Sequence, residues 1–313
     1  SGVTCCSDLY FFPEAAAEGL REAGLRCATA GIVIGFPSAW AANDDEYISK
    51  CEALIERYSG DPFVRVTVGP HAPYTVSDAS LARCAALSER HDLPVHIHVN
   101  ETAGEVETSL KDHGERPVAR LARLGLLNER LISVHSVHTS NEDIRMLAEA
   151  RASVCHCPSS NLKLASGFAP VAKMMKAGIN LGIGTDGAAS NDKLDMLGET
   201  RLAAMLAKAV AGATTCAKVF DMLEAATLSG ARALHWDDEI GSLEIGKCAD
   251  MIAVDLSGIE CGPVTDPAAQ LLYSAGREHV THVWVAGRLA AGESTEPRDD
   301  TARTLLEKWA PLI

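Results

Sequence analysis

Ionisable side chains stand directly after four short apolar segments of the chain, at the points where such segments would end as strands. The four endings are Val68-Gly-Pro-His71, His96-Ile-His98-Val-Asn-Glu101, Val134-His135-Ser-Val-His138 and Gly182-Ile-Gly-Thr-Asp186. One such ending would carry little information. Because chemistry in a parallel barrel lies where the strands end, four endings on separate strands should converge on one rim.

The residue types at these endings indicate a metal site. His98 and Asp186 offer an imidazole nitrogen and a carboxylate oxygen, which suit Zn²⁺ or a similar divalent ion. Glu101 lies three residues beyond His98, where it would stand beside the metal and could move protons. His135 could hydrogen-bond a metal-bound hydroxide, since coordination lowers the pKa of water to about 7. These residues predict metal-assisted hydrolysis, with Glu101 and His135 as catalytic groups beside the ligands His98 and Asp186.

The same residues also have structural interpretations. Asp186 could cap the N-terminus of a helix, because Thr-Asp-Gly often starts one, and Glu101 could do likewise. His96 and His138 belong to a type that is more often satisfied within the core than used as a ligand. Taken together at successive strand ends, however, the residues favour chemistry.

Two other motifs are weaker. Cys155-His156-Cys157 looks like a zinc cluster, but both thiols would lie on one strand face with no second pair nearby, which favours core packing. His113-Gly-Glu115 resembles the His-x-Glu of cytidine-type deaminases, yet no Pro-Cys-x-x-Cys follows it. We therefore set both motifs aside as catalytic candidates.

Short β-rich segments alternate with helical segments along most of the chain. The predicted strands are Gly2–Cys6, Arg26–Ile34, Val64–Val68, Pro94–Val99, Leu131–Val134, Ala152–Cys155 and Asn180–Ile183. The predicted helices include Pro13–Ala23, Asp44–Tyr58, Ser77–His91, Pro117–Leu124, Asn141–Ala150 and Val171–Ala177. Gly24, Gly125 and Gly178 mark helix ends. Seven such units predict an α/β fold with a parallel sheet, and they favour a (β/α)₈ TIM-type barrel over an open doubly wound sheet.

The last part of the chain has a different pattern. Residues 1–236 are predicted to form the barrel, ending in a long helical region over Leu194–Leu234. Residues 237–313 are predicted to form a small β-sandwich-like unit. Within it, Val280–Ala286 and Leu289–Ala291 predict a hairpin, and Thr301–Trp309 predicts a terminal helix.

Composition excludes several classes of protein. Apolar residues make up 47% of the 313 residues, which excludes a disordered chain. The net charge of −14 argues against a nucleic-acid partner, and no apolar run approaches the ~20 residues that span a bilayer. Ten cysteines are too sparse for a disulfide scaffold, so we expect free thiols and a cytoplasmic location.

Several longer stretches carry a resemblance to a known family. They are Asp8-Leu-Tyr-Phe-Phe-Pro-Glu-Ala, Gly69-Pro-His-Ala-Pro-Tyr-Thr, His98-Val-Asn-Glu-Thr, His113-Gly-Glu-Arg-Pro, His156-Cys-Pro-Ser-Ser-Asn-Leu-Lys-Leu-Ala-Ser-Gly, Gly184-Thr-Asp-Gly-Ala-Ala-Ser-Asn and Gly241-Ser-Leu-Glu-Ile-Gly-Lys-Cys-Ala-Asp. Together they resemble the amidohydrolase superfamily and, more narrowly, the 5-methylthioadenosine/S-adenosylhomocysteine deaminase family. The resemblance runs through nearly the whole chain.

This resemblance implies a site and a reaction. One divalent metal, with Zn²⁺ the first choice and Fe²⁺ or Mn²⁺ as alternatives, would be bound by His98 and Asp186. Asp186 would also take a proton from water, Glu101 would shuttle protons and contact the purine, and His135 would help hold the hydroxide. His71 and Ser190 would complete the substrate-binding set.

The reaction implied is hydrolytic deamination of 5′-methylthioadenosine, S-adenosylhomocysteine or adenosine to an inosine-type product and ammonia. The partner is then a small purine nucleoside, and a homo-oligomer that binds neither nucleic acid nor membrane is expected. Two alternatives stay open: a related amidohydrolase acting on guanine, 8-oxopurine or s-triazine rings, and a non-catalytic barrel that lacks a complete metal site.

One feature of the family is missing from this sequence. The family's first barrel strand carries His-x-His, which supplies two further metal ligands. His96-Ile-His98 is not that motif, because the Val-Asn-Glu-Thr that follows it belongs to the family's fifth strand. We therefore expect the sequence to begin at the second barrel strand, with weak zinc binding by two ligands alone and unpaired strand edges.

Overall fold

The β-rich segments form one parallel sheet of seven strands. In a computed structural model, which describes residues 1–292, each strand pairs with the next along the chain, in the order β1 to β7. The strands are β1 (Cys5–Asp8), β2 (Arg26–Val33), β3 (Val64–Pro70), β4 (Val95–Val99), β5 (Leu131–His135), β6 (Ser153–His156) and β7 (Asn180–Ile183). The sheet is curled as in a TIM-type barrel, which confirms the predicted fold class. Within the described residues β1 pairs only with β2 and β7 only with β6, so this sheet has two open edges.

Helices connect the strands and pack against the sheet. They are α1 (Pro13–Glu22), α2 (Asp44–Arg57), α3 (Asp78–His91), α4 (Ala103–His113), α5 (Pro117–Arg123), α6 (Asn141–Glu149), α7 (Pro158–Lys163), α8 (Val171–Lys176), α9 (Ala188–Asn191), α10 (Met196–Ala211), α11 (Val219–Ala225) and α12 (Leu228–Ala233). Side chains of Asn43 and Ser77 accept amide hydrogen bonds at the starts of α2 and α3. Gly24, Gly125 and Gly178 have positive φ at helix ends, as predicted.

The helices of the barrel differ from the prediction in two ways. Helices α4, α7 and α9 were not among the predicted helices, although Thr102 caps α4 and Pro158 opens α7, both of which are common start signals. The predicted region Leu194–Leu234 is divided into α10, α11 and α12. Its first break follows Gly212, whose φ of 61° ends α10 in the left-handed conformation.

A second sheet follows the barrel. It contains β8 (Met251–Val254), β9 (Val280–Val285) and β10 (Arg288–Ala291) in the antiparallel order β10-β9-β8, with α13 (Pro267–Tyr273) and short 3₁₀ turns at Ile259–Cys261 and Arg277–His279. The pairing of β9 with β10 confirms the predicted hairpin. The predicted helix Thr301–Trp309 lies outside the described residues, and the boundary between residues 236 and 237 stays a prediction.

Strand β4 shows how the sheet separates the core from the site. Val95, Ile97 and Val99 are buried in the main apolar core. Because side chains alternate along a strand, His96 and His98 lie on the opposite face. The strand therefore delivers two imidazoles to the inner side of the curled sheet.

The structure bears on two of the compositional predictions. All ten cysteines are free thiols; Cys27 and Cys84 are buried, whereas Cys216 is only partly so. None of the helices within residues 1–292 has both the length and the apolar character needed to cross a bilayer.

Candidate active site

Three histidine rings meet at the carboxyl ends of β3, β4 and β5. The ring of His98 lies 5.0 Å from that of His71 and 5.5 Å from that of His135, centroid to centroid, and it stacks on the latter. The three strands are neighbours in the sheet, and Val99 of β4 is in register with His135 of β5. The predicted convergence of strand ends thus brings these side chains to one place.

The tautomer of His98 is set by the backbone. Its Nδ1 donates to the carbonyl oxygen of His71 at 2.6 Å, which leaves Nε2 as an acceptor. Burial, followed by the neighbouring His135, lowers the pKa of His98, so that the ring is neutral at pH 7. A neutral imidazole held by its other nitrogen is the usual form of a metal-binding histidine.

Asp186 follows β7, and its carboxylate accepts two hydrogen bonds. The hydroxyl of Ser160 donates to Oδ2 at 2.5 Å, and the amide of Gly187 donates to Oδ1 at 2.7 Å. Burial raises the pKa of Asp186, but the hydrogen bonds from Ser160 and Gly187 outweigh it and hold the pKa below its usual value. The carboxylate is therefore ionised at neutral pH, and it is near enough to His98 to act on the pKa of that ring.

Glu101 lies between His135 and a loop after α7. Its Oε2 is 3.8 Å from Nε2 of His135, and its Oε1 accepts a hydrogen bond from the hydroxyl of Ser166 at 3.3 Å. The side chain is 17% exposed, so one side of the carboxylate is open to a ligand. The helix-cap alternative for Glu101 and Asp186 is wrong, because Thr102 and Gly187 occupy the N-cap positions of α4 and α9.

Sequence reasoning missed Glu105, which holds the main chain at Glu101. Its buried carboxylate accepts from the amide of Asn100 at 2.8 Å and from the amide of Glu101 at 2.7 Å. Thr102 in turn accepts from the amide of Glu105. The spacing Thr-x-x-Glu at the start of a helix is the signal that could have found it.

The buried carboxylate of Glu105 predicts a pH-dependent stability. Burial raises its pKa from 4.5 to about 7 in spite of its two amide donors. A raised folded-state pKa contributes stability at low pH that is lost as the pH rises through about 7. Relative to Glu105→Gln, the wild-type melting temperature should therefore fall between pH 4.5 and pH 8, and calorimetry at several pH values measures this. The control is Glu107→Gln, which changes an exposed carboxylate. A difference in melting temperature between wild type and Glu105→Gln that does not change with pH would contradict the raised pKa of Glu105.

The remaining predicted residues lie at or near this cluster. Nδ1 of His71 is 2.8 Å from the Thr75 hydroxyl, and burial together with His98 lowers the pKa of His71 to about 4. Ser190 is buried in α9, where its hydroxyl donates to the carbonyl of Gly187. A direct substrate contact for Ser190 stays a prediction.

The histidines and cysteines that were set aside have structural neighbours. His96 bonds with the Ser7 hydroxyl at 3.2 Å, and His138 donates to the carbonyl of Ser166 at 2.7 Å. A Cβ on Gly184 would lie 2.8 and 3.2 Å from the sulfurs of Cys155 and Cys157, which places both thiols side by side in the packing under β7.

Two of the predicted side chains are available as metal ligands. His98 and Asp186 provide a free imidazole nitrogen and an ionised carboxylate, both of which zinc prefers. In the part of the chain that the structure describes, no group of three or more His, Cys, Asp or Glu is arranged to hold a metal ion. These residues fit part of a zinc ligand set, since catalytic zinc normally takes three protein ligands.

Comparisons with known proteins bear on the same residues. The sequence profile of the Amidohydrolase family matches residues 1–290. The chain is 46% identical over 287 residues to a protein of Teredinibacter turnerae named 5-methylthioadenosine/S-adenosylhomocysteine deaminase, covering 92% of this chain and 65% of that protein. A protein of the same name from Saccharophagus degradans is 43% identical over 293 residues, covering 94% and 66%. The chain thus spans slightly less than two thirds of the length of these relatives.

Solved structures of related enzymes have the same fold as this chain. An adenosine deaminase from Xanthomonas campestris with bound zinc has a TM-score of 0.94 at 46% identity, covering 98% of this chain and 70% of that one. An atrazine chlorohydrolase from Arthrobacter aurescens, complexed with zinc, has a TM-score of 0.89 at 25% identity, covering 99% and 73%. Both neighbours contain zinc on this architecture.

Proposed function

This chain belongs to the amidohydrolase family, and we propose that it hydrolytically deaminates an adenosine-like nucleoside. 5′-Methylthioadenosine, S-adenosylhomocysteine and adenosine are the substrates, and an inosine-type nucleoside and ammonia are the products. The observation that carries this proposal is the cluster of His98, Glu101 and His135 at the ends of β4 and β5, with the ionised Asp186 at the end of β7 acting on the same histidines. The deaminase names of relatives at 43–46% identity support the choice of substrate.

His98 and Asp186 would hold one divalent metal, zinc in the first place and Fe²⁺ or Mn²⁺ as alternatives. Such an ion supplies a nucleophilic water at neutral pH by lowering the pKa of that water. The zinc in the two solved neighbours supports this assignment.

The protein residues then divide the proton transfers. Asp186 is ionised, so it can accept a proton from the attacking water. Glu101 starts protonated, with one carboxylate oxygen held by Ser166, and delivers that proton to ring nitrogen N1 as water adds at C6 of the purine. The proton on Asp186 then passes to the amino group, which leaves as ammonia when its bond to C6 breaks, and the proton of the new C6 hydroxyl returns to Glu101. His135 holds the water, His71 contacts the nucleoside, and Ser190 lines the pocket.

An ammonia-release assay tests the proposal. We expect kcat/KM for the three adenosine-like nucleosides to exceed that for guanine, an 8-oxopurine and an s-triazine by at least about tenfold, since one well-made or missing polar contact discriminates at that level or more. Faster turnover of the triazine or guanine would favour the related amidohydrolase. Absence of any turnover, together with no stoichiometric divalent ion in the purified protein, would favour the non-catalytic barrel.

Two further properties belong to this proposal. A cytoplasmic location agrees with the ten unpaired cysteines, since reducing compartments keep thiols free. A homo-oligomeric state stays a prediction, which size-exclusion chromatography with light scattering would test.

A further inference from the structure

His135 is held on the side away from the site by a residue to which no role has yet been given. Its Nδ1 lies 2.8 Å from Oδ1 of Asn161, and both residues are buried, with 1% of each exposed. We propose that Asn161 is a positioning residue that fixes the ring of His135 with a proton on Nδ1, so that Nε2 faces Glu101. This inference rests on the proposed function for its catalytic meaning, but not for its structural content.

The chemistry of the two groups determines the direction of this hydrogen bond. An amide oxygen only accepts, so Nδ1 of His135 must carry the proton, and a neutral ring then has a lone pair at Nε2. That nitrogen is 3.8 Å from Oε2 of Glu101. An acceptor there can take a hydrogen bond from the O–H of the attacking water or from protonated Glu101. The other tautomer would instead present an N–H to both.

The backbone also directs His135 to this position. His135 and Ser136 both have positive φ, 69° and 50°, although neither is glycine. Such conformations are uncommon for residues with a Cβ, and at functional sites they are kept where the surroundings enforce them. The amide of Ser136 donates to the carbonyl of Val99 at 3.1 Å, which ties this turn to β4.

A second observation concerns the other end of the Asn161 amide. Nδ2 of Asn161 and both ring nitrogens of His156 are buried without a protein hydrogen-bond partner among the described residues. Both side chains border a cavity of about 10 Å³, close to the smallest volume that holds one water. Burial lowers the pKa of His156 to about 4, so its neutral ring offers one donor and one acceptor. A water between them would accept from Nδ2 and keep Oδ1 turned toward His135.

Main-chain contacts hold Asn161 in place independently of its side chain. Its amide donates to the carbonyl of Cys157 in the first turn of α7, and its carbonyl accepts from the amide of Ser166 at 2.8 Å. A substitution of the side chain therefore leaves these two bonds in place. Such a substitution should remove the hydrogen bond to His135 and leave the path of the loop that carries Ser166 largely unaltered.

NMR of ¹⁵N-histidine-labelled protein tests the inference directly. Long-range ¹H–¹⁵N correlations distinguish a ring protonated on Nδ1 from one protonated on Nε2, and comparison with His135→Gln assigns the signal. We expect Nδ1–H for His135 in the wild type, retention in Asn161→Asp, and loss or mixing in Asn161→Leu. His138 should carry its proton on Nε2 in all three proteins, because it donates to the carbonyl of Ser166.

Kinetics provide the second readout. Loss of such a supporting hydrogen bond typically costs about 10–100-fold in activity, so kcat of Asn161→Leu should fall by that factor with KM within about threefold of the wild type. Nε2–H at His135 in the wild type would overturn the inference even if no variant folds. An unchanged tautomer in folded Asn161→Leu would overturn it as well. The NMR experiment needs no substrate, so a protein that deaminates nothing but shows Nδ1–H at His135 would refute the proposed function and leave the tautomer assignment standing.

Discussion

Replacement of Glu101 by glutamine is expected to lower kcat for ammonia release by roughly 10²–10⁴-fold, the range that general acid–base catalysis contributes. Glutamine has the same shape, and its Oε1 can still accept from Ser166. It cannot accept and return a proton at the position 3.8 Å from His135. Steady-state kinetics on the adenosine-like nucleosides would measure the loss.

Two controls separate chemistry from assembly in this experiment. The zinc content of Glu101→Gln should equal that of the wild type, because Glu101 is not one of the proposed ligands. Glu107→Gln changes an exposed carboxylate on α4, the helix that follows Glu101, and should leave kcat unaltered. Turnover of Glu101→Gln within about threefold of the wild type would refute the assignment of Glu101 as the proton carrier.

Replacement of Asp250 by alanine should be the most destabilising single change considered for this chain. Asp250 precedes β8 and binds Arg26 of β2 through two hydrogen bonds, of 2.8 and 3.2 Å, with only 2–3% of either side chain exposed. The guanidinium also lies over the rings of Phe63 and Trp236. Removal of the carboxylate leaves a buried unpaired charge, which typically costs about 3–5 kcal/mol.

Thermal unfolding would measure this effect. A loss of that size should lower the melting temperature by roughly 5–15 °C in a chain of this length. Glu149→Ala, which breaks an exposed ion pair with Arg145, should change stability by no more than about 1 kcal/mol. The double replacement Arg26→Met with Asp250→Leu should recover much of the loss, because it removes both charges. Equal effects for Asp250→Ala and Glu149→Ala would contradict this account.

The order of the elements could be predicted from the sequence because their signals are local. Alternation of apolar residues and the glycines at helix ends lie within a few residues of the elements they define, and strand β7 was predicted with its observed bounds. Since parallel strands end on one edge, His98, Glu101, His135 and Asp186 could be predicted to converge. The unpredicted helices α4 and α7 begin directly after and inside stretches, respectively, that were interpreted only as motifs.

The supporting contacts of the site were decided by tertiary structure alone. Ser166 reaches Glu101 across 65 residues of sequence, Ser160 reaches Asp186 across 26, and Arg26 reaches Asp250 across 224. No local pattern marks such a pair, because each partner is an ordinary serine, arginine or aspartate until strand register and loop course bring it within 3.3 Å. The sequence by itself determined which residues stand at the strand ends. Packing of distant segments determined the tautomers of the site histidines, the carboxylate oxygen of Glu101 that is held by a serine, and the ionised state of Asp186. These properties depend on hydrogen bonds and burial, and therefore on neighbours in space.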